Sequence, residues 1–240
     1  MRSHFCWTTC DVASLLPDNW RDKVRRVAEN ADFRRYPRTP YLSREAGDVE
    51  SVIRGRVRAD TLHARLPWLY QLYRSEFLEL AAQAWKEPVQ AASDDRYGVV
   101  LNVQRGKTMR FECHVDSNPL TGLLFLTDHP AGGGELAIGN DPAVVGVEAL
   151  DRDCTLITPR AAQLIFFDGK TYAHYARELS MEEDERIVAV MNFYTESCPE
   201  SATRPDGLNR HLFGQDLSRN LSGQTIPRRR GPAGTWPTCR

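Results

Sequence analysis

The feature that most limits what this chain can fold into is a change of texture after Ser93. From there to Tyr194, short runs of β-branched, aliphatic and aromatic residues alternate with Gly, Pro, Asn and Asp, the pattern of strands separated by tight turns. Eight candidate strands result, at 97–104, 108–116, 120–127, 135–139, 144–150, 163–167, 173–178 and 186–194. A further run at 154–158 either extends the fifth or stands alone. Eight strands with short connections in about a hundred residues suit a double-sheet jelly roll, a double-stranded β-helix, better than an up-and-down barrel.

The segment before it reads differently. Trp20, Val24 and Val27 recur at helical spacing within 17–32, and Leu69, Leu72, Tyr73, Phe77, Leu80, Ala81 and Ala84 fall on one face of a longer helix over 67–86 that Pro88 ends. Another helical region is expected near Arg44. The chain therefore divides into a helical N-terminal region (1–92) packing on the core, a β core (93–200) and a C-terminal extension (201–240) without periodicity, expected to be extended or disordered. The fold class expected is mainly β with flanking helices.

Charge and cysteine usage exclude several function classes. The 31 basic residues are balanced by 32 acidic ones, so no general affinity for nucleic acid is expected, and Arg228, Arg229 and Arg230 read as a solvated tail. No apolar run is long enough for a transmembrane helix. The first twenty residues carry Arg2, His4, Asp11 and Asp18 and lack the apolar stretch of a secretory signal. A cytoplasmic location follows as an expectation, with the six scattered cysteines as thiols. His4, Cys6 and Cys10 resemble half of a metal knuckle whose second half is missing. The partner expected is a small-molecule substrate, with no nucleic acid and no membrane; oligomeric state is left open.

Chemistry concentrates in the core. His114 and Asp116 stand two apart in the run RFECHVDSNP, so on a strand both side chains leave one face. His174 follows 60 residues later at the start of another candidate strand. Two imidazoles and one carboxylate on adjacent strands make a facial triad, the ligand set suited to non-haem Fe(II) with three positions left open. A 2-oxo acid can chelate through two of these and dioxygen can take the third. Twelve residues further on, Arg186 opens the run RIVAVMNFY and shares a face with Val188, Val190, Asn192 and Tyr194. An arginine facing into a jelly roll is an uncompensated buried charge unless an anion meets it. The 5-carboxylate of 2-oxoglutarate is such an anion, because the planar guanidinium grips a carboxylate through two parallel hydrogen bonds. Asn102 and Gln104, two apart on the first strand, are further candidates for the cofactor pocket.

With these residues the chain resembles the Fe(II)/2-oxoglutarate-dependent dioxygenase superfamily, and within it the prolyl-hydroxylase-like branch. The resemblance rests on His114-Val115-Asp116 with Ser117-Asn118-Pro119, the Gly132-Gly133-Gly134-Glu135-Leu136 hairpin, Leu164-Ile165-Phe166-Phe167, His174 and Arg186, and spans about residues 95 to 196. It implies that His114, Asp116 and His174 are iron ligands, that Arg186 holds the cosubstrate, and that the cofactors are Fe(II), 2-oxoglutarate and O2. The implied activity is hydroxylation of a C–H bond of a small molecule, an amino acid or natural-product intermediate, with release of succinate and CO2. One departure is visible. Many members of that branch carry a tyrosine on the strand after HxD that shares the cosubstrate carboxylate with the arginine, whereas 120–127 offers only the hydroxyls of Thr121 and Thr127.

Plainer readings accompany these. His129 suits a loop before a Pro/Gly turn, Gly132 to Gly134 suit a hairpin better than a phosphate cradle because no helix follows, and Cys113 and Cys154 suit small buried hydrophobes. Two other functions stay open: a peptidyl or protein hydroxylase of the prolyl type, and a non-catalytic jelly-roll binding protein.

Overall fold

The computed structural model describes residues 6–130, 132–204 and 207–208. Among them the chain runs through β1 (Trp7–Asp11), a 3₁₀ turn (Ala13–Leu15), α1 (Trp20–Ala28), β2 (Asp32–Pro37), β3 (Ser51–Val57), α2 (Ala59–Arg65), α3 (Pro67–Arg74), α4 (Glu76–Ala84) and β4 (Val89–Ala91). It continues through α5 (Asp95–Gly98), β5 (Val99–Arg105), β6 (Leu120–Phe125), β7 (Leu136–Gly139), α6 (Val147–Arg152), β8 (Cys154–Ile157), β9 (Gln163–Phe167), β10 (His174–Ala176), β11 (Glu185–Thr195) and α7 (Glu200–Thr203). Every strand pairing is antiparallel, in a larger sheet ordered β1-β9-β6-β11-β5-β3-β2 with β4 also on β11, and a smaller one ordered β10-β7-β8.

The larger sheet is buried on both faces, which explains its nearly unbroken apolar strands. Leu101, Leu124, Leu164, Phe166, Ala189 and Phe193 pack on one side against Val24, Leu62, Leu69 and Phe77 of the helices. On the other side Leu123, Phe125, Ile165, Phe167 and Val188 meet Leu136, Ile138 and Ile157 of the smaller sheet. Period-two alternation therefore sorts β11: Ile187, Ala189 and Met191 face the helices, and Arg186, Val188 and Val190 face the space between the sheets. Tyr73 ties the helical layer to that sheet, its hydroxyl donating to Asn192 O at 2.6 Å and accepting from Ala92 N at 2.7 Å.

Several expectations need correction. The first ninety residues are not chiefly helical, since β1, β2, β3 and β4 all join the larger sheet, and no helix lies near Arg44. The run SVIRGRV forms β3, paired antiparallel with both β2 and β5. The helix expected over 67–86 is broken at Ser75 (φ −122°, ψ −100°) into α3 and α4. Residues 147–152 form α6 rather than a strand, and 154–157 form a strand of their own, β8. The segment 108–116 forms no strand; its one β-bridge position is His114, which bridges Ser43 on one side and His174 on the other. Cys6, Cys10, Cys113 and Cys154 are free thiols, whereas Cys198 is disulfide-bonded. The tail from 209 onward, with Arg228 to Arg230, and His4 of the knuckle lie outside the described residues. No helix among the described residues is long and apolar enough to cross a membrane.

Candidate active site

His114, Asp116 and His174 converge between the sheets, as the spacing predicts, although a single bridge and not a strand holds His114. The ligating atoms of the three side chains all lie within 4.8 Å of one another, the one such cluster among the described residues. Backbone pairing sets the geometry: His114 N donates to His174 O at 3.0 Å and His174 N to His114 O at 2.9 Å, which puts the imidazoles 4.6 Å apart by ring centroid. Asp116 N donates to Gly169 O at 2.7 Å, drawing the carboxylate under both rings. Nε2 of His114 is 3.4 Å from Asp116 Oδ1, and Nε2 of His174 is 3.5 Å from Oδ2.

The rings are oriented for coordination. Nδ1 of His114 lies 2.7 Å from Glu112 O, and Nδ1 of His174 lies 3.0 Å from Tyr172 O. A carbonyl only accepts, so each Nδ1 carries the proton and each Nε2 presents its lone pair to the cluster. Burial pushes His174 down to about 4, which keeps it neutral. Burial alone would raise the Asp116 carboxyl, but His174, His114 and the Thr121 hydroxyl outweigh it and hold the group below its ordinary value. For His114 burial disfavours the charged form, yet Asp116 and Glu112 reverse the sign and raise it. Two imidazole nitrogens and a carboxylate oxygen, without a thiolate, form a donor set that fits a divalent first-row metal with positions left open.

Thr121 does not serve Arg186. Its hydroxyl donates to Asp116 Oδ2 at 2.5 Å and accepts from Asn118 Nδ2 at 2.9 Å, a relay that fixes the carboxylate. Gly169 closes the same corner: a Cβ there would stand 2.3 Å from Asp116 Oδ2 and 2.6 Å from Thr121 Oγ1. Gly169→Ala is therefore expected to displace the carboxylate and weaken Mn(II) binding about 10- to 100-fold, the range for lost support of a metal ligand. Thr121→Val should fall at the lower end. Isothermal titration under argon checks both, and wild-type affinity in Gly169→Ala would show that Asp116 needs no support from this corner.

Arg186 lies in the same cavity, on β11 between the two sheets. It is 1% exposed and the largest fully buried side chain. Nε and Nη2 have no hydrogen-bond partner among the described residues, and the guanidinium sits 5.5 Å from the centre of the Phe125 ring. Burial pushes its pKa down to about 9, only partly offset by Glu135. Thr127, the other candidate helper, accepts from Ile187 N at 3.0 Å and lies 3.3 Å from His129 Nε2. The glycine hairpin passes close by, for a Cβ on Gly134 (φ +70°) would stand 2.8 Å from Arg186 Cδ. His129 lies in the loop after β6, as expected, and is buried there, with Nδ1 3.9 Å from Asp184.

The two pocket candidates separate. Asn102 lines the cavity, in register with Val188 of β11. Gln104 is outside the lining, its Nε2 committed to Met109 O and Arg177 O, each at 2.6 Å. Cys113 is fully buried beside Ala137 and Ala173, with Cys154 packed against that cluster. Arg54 of β3 also lines the cavity, a residue that a helical reading of the N-terminal region passes over.

Two antiparallel sheets enclose the His-Asp-His cluster and the buried arginine, and solved structures similar to this one in fold include Fe(II)/2-oxoglutarate-dependent enzymes. The non-haem α-ketoglutarate-dependent epimerase SnoN from nogalamycin biosynthesis superposes with a TM-score of 0.60 at 16% identity, over 95% of this chain and 90% of that one. HygX from Streptomyces hygroscopicus, crystallised with nickel and 2-oxoglutarate, superposes at 0.52 and 13% identity, over 80% and 84%. A prolyl 4-hydroxylase from Phytophthora capsici superposes at 0.51 and 16% identity, over 85% and 65%. At such identities the likeness is one of fold. No protein-family model matches the sequence, and no curated protein matches it.

Proposed function

We propose that this chain is a non-haem Fe(II)- and 2-oxoglutarate-dependent oxygenase that hydroxylates a C–H bond of a small molecule, an amino acid or natural-product intermediate. The observation that carries the reading is a fully buried guanidinium, its Nε and Nη2 without a hydrogen-bond partner among the described residues, in the cavity that holds the His-Asp-His cluster. Either feature alone has a structural explanation; together they match the two ends of a chelating dicarboxylate. When bound, Fe(II) with 2-oxoglutarate and O2 supplies the oxidising chemistry, and succinate and CO2 leave.

The residues' own tasks follow from their placement. His114, Asp116 and His174 would hold the metal from one side, leaving the cavity side open. Arg186 would hold the 5-carboxylate of the cosubstrate, so that its 2-oxo acid end points at the metal. Leu123, Leu136, Phe167 and Val188 wall the space between with apolar surface, which excludes water and strengthens that ion pair. Asn102 supplies an amide to the same cavity. Residues 93–200 would constitute the catalytic core, with 1–92 completing the larger sheet and closing one side.

A small substrate is favoured over a peptide because the N-terminal segment reaches the site: Ser43 bridges His114, and Arg54 lines the cavity. SnoN, an epimerase from nogalamycin biosynthesis, and HygX, crystallised also with hygromycin B, are in keeping with small-molecule chemistry on this fold. The test is titration of Mn(II) and 2-oxoglutarate under argon, followed by succinate formation with Fe(II) and O2 across amino acids, natural-product intermediates and proline-containing peptides. Binding of neither metal nor cosubstrate would leave the jelly roll as a non-catalytic binding protein. Succinate release stimulated by peptides alone would favour the peptidyl hydroxylase.

A further inference from the structure

The cavity carries a second arginine to which the reading above gives no binding role. β3 lies between β2 and β5, and its alternation puts Arg54 and Arg56 on one side, Arg56 in register with Asn102 of β5 and Arg54 with Arg34 of β2. Arg34 is satisfied, with Asp32 at 3.0 Å and the Tyr36 hydroxyl at 3.1 Å. Arg54 is not. Its Nε is enclosed without a hydrogen-bond partner among the described residues, and its guanidinium rests 4.3 Å from the centre of the Tyr36 ring. The acid nearest in its field, Glu112, is buried and spends its oxygens on Thr39 N at 2.8 Å and Thr39 Oγ1 at 2.6 Å. Burial lowers the pKa of Arg54, and Arg56 is pushed down to about 10 by burial with Arg54 repelling it.

The hydrogen bonding says what is missing. A divalent metal, a dianionic cosubstrate, Asp116 and Arg186 together make a neutral set, and the one acid in the field of Arg54, Glu112, has its oxygens committed to Thr39, so the Arg54 fork lines the cavity without a carboxylate to grip. An unmatched guanidinium there favours an anion, most strongly a carboxylate that its fork can grip through two hydrogen bonds. Resting on the oxygenase reading, we propose that Arg54 binds a carboxylate of the substrate and so restricts the enzyme to acidic small molecules.

The probe is trifluoroacetate, small enough to enter beside bound 2-oxoglutarate, with trifluoroacetamide as its uncharged control. Fluorine line broadening by Mn(II) in the 2-oxoglutarate-saturated protein reports approach to the metal. Wild type should broaden trifluoroacetate saturably and trifluoroacetamide not at all. Arg54→Gln should lose at least about fivefold of that broadening while keeping Mn(II) and 2-oxoglutarate affinity within about twofold, and Arg54→Lys should be intermediate. The melting temperature of Arg54→Gln should not fall, because an unmatched charge is removed and no ion pair is broken. Equal broadening in wild type and Arg54→Gln, equal broadening of acid and amide, or none in wild type overturns the proposal. So does a loss of 2-oxoglutarate affinity in Arg54→Gln, which would make Arg54 a cosubstrate residue. A wild-type protein that binds neither Mn(II) nor 2-oxoglutarate overturns the oxygenase reading instead.

Discussion

Arg186→Gln is expected to raise the KM for 2-oxoglutarate about 30-fold to several thousandfold while leaving Mn(II) binding unchanged. The range corresponds to about 2 to 5 kcal/mol, the cost of truncating one member of a buried, hydrogen-bonded charge pair. Stability should move the other way or not at all. Arg186 makes no ion pair with a described residue: among the acids that flank it in sequence, Glu185 pairs with Arg105 at 2.5 Å, and Glu182 accepts from Lys107 N at 3.2 Å. Without cosubstrate the wild type therefore holds a buried cation that costs several kcal/mol, and the neutral amide relieves that cost. Succinate formation against 2-oxoglutarate concentration, measured beside thermal unfolding, separates the two roles. A normal KM with a lowered melting temperature would make Arg186 a structural residue and remove the observation on which the functional proposal rests.

His174→Ala and His114→Ala are each expected to abolish activity and to reduce Mn(II) affinity by more than about 100-fold, beyond the loss caused by removing a residue that merely supports a ligand. Each deletes one of three protein donors from a site already open to water, so the remaining pair competes poorly with hydration. The variants differ in their stability. His174 is buried edge-on to Phe167, with ring centroids 4.7 Å apart, so its loss leaves a cavity and should lower the melting temperature more than that of the partly exposed His114. Titration under argon reads affinity, and unfolding without metal reads the packing cost. Unchanged affinity in both variants would take the imidazoles out of the coordination sphere.

The core strands were legible because each is buried on at least one face and its pattern says so. The strand expected at 163–167 coincides with β9, and those expected at 97–104, 120–127 and 186–194 match β5, β6 and β11 within two residues at each end. Of the strands in the first ninety residues, β1 and β4 were obscured by their partners' distance in sequence. β1 pairs with β9 and β4 with β11, each more than a hundred residues away, and on β3 the charged side chains of Arg54 and Arg56 broke the apolar pattern, Arg54 because it lines the cavity. Residues 144–150 contain enough valine to read as a strand, yet Gly146 (φ +89°) precedes a helix that packs Leu150 against Ala173 and Tyr175.

At the site, the identity of the chemistry was local and its support was not. His114 and Asp116 announce themselves by spacing, and Arg186 by being the charged residue on the alternating face of an otherwise apolar strand. Those features are periodicities, which a linear sequence carries in full. That Thr121 holds Asp116 and not Arg186, that Gly169 must lack a side chain, that Gln104 spends its amide on two carbonyls and that Arg54 enters the cavity from the N-terminal strand depended on which backbone segments approach one another. Contacts of that kind arise from long-range sheet pairing and from close approach, neither of which leaves a periodic trace in the sequence, so only the tertiary structure decided them.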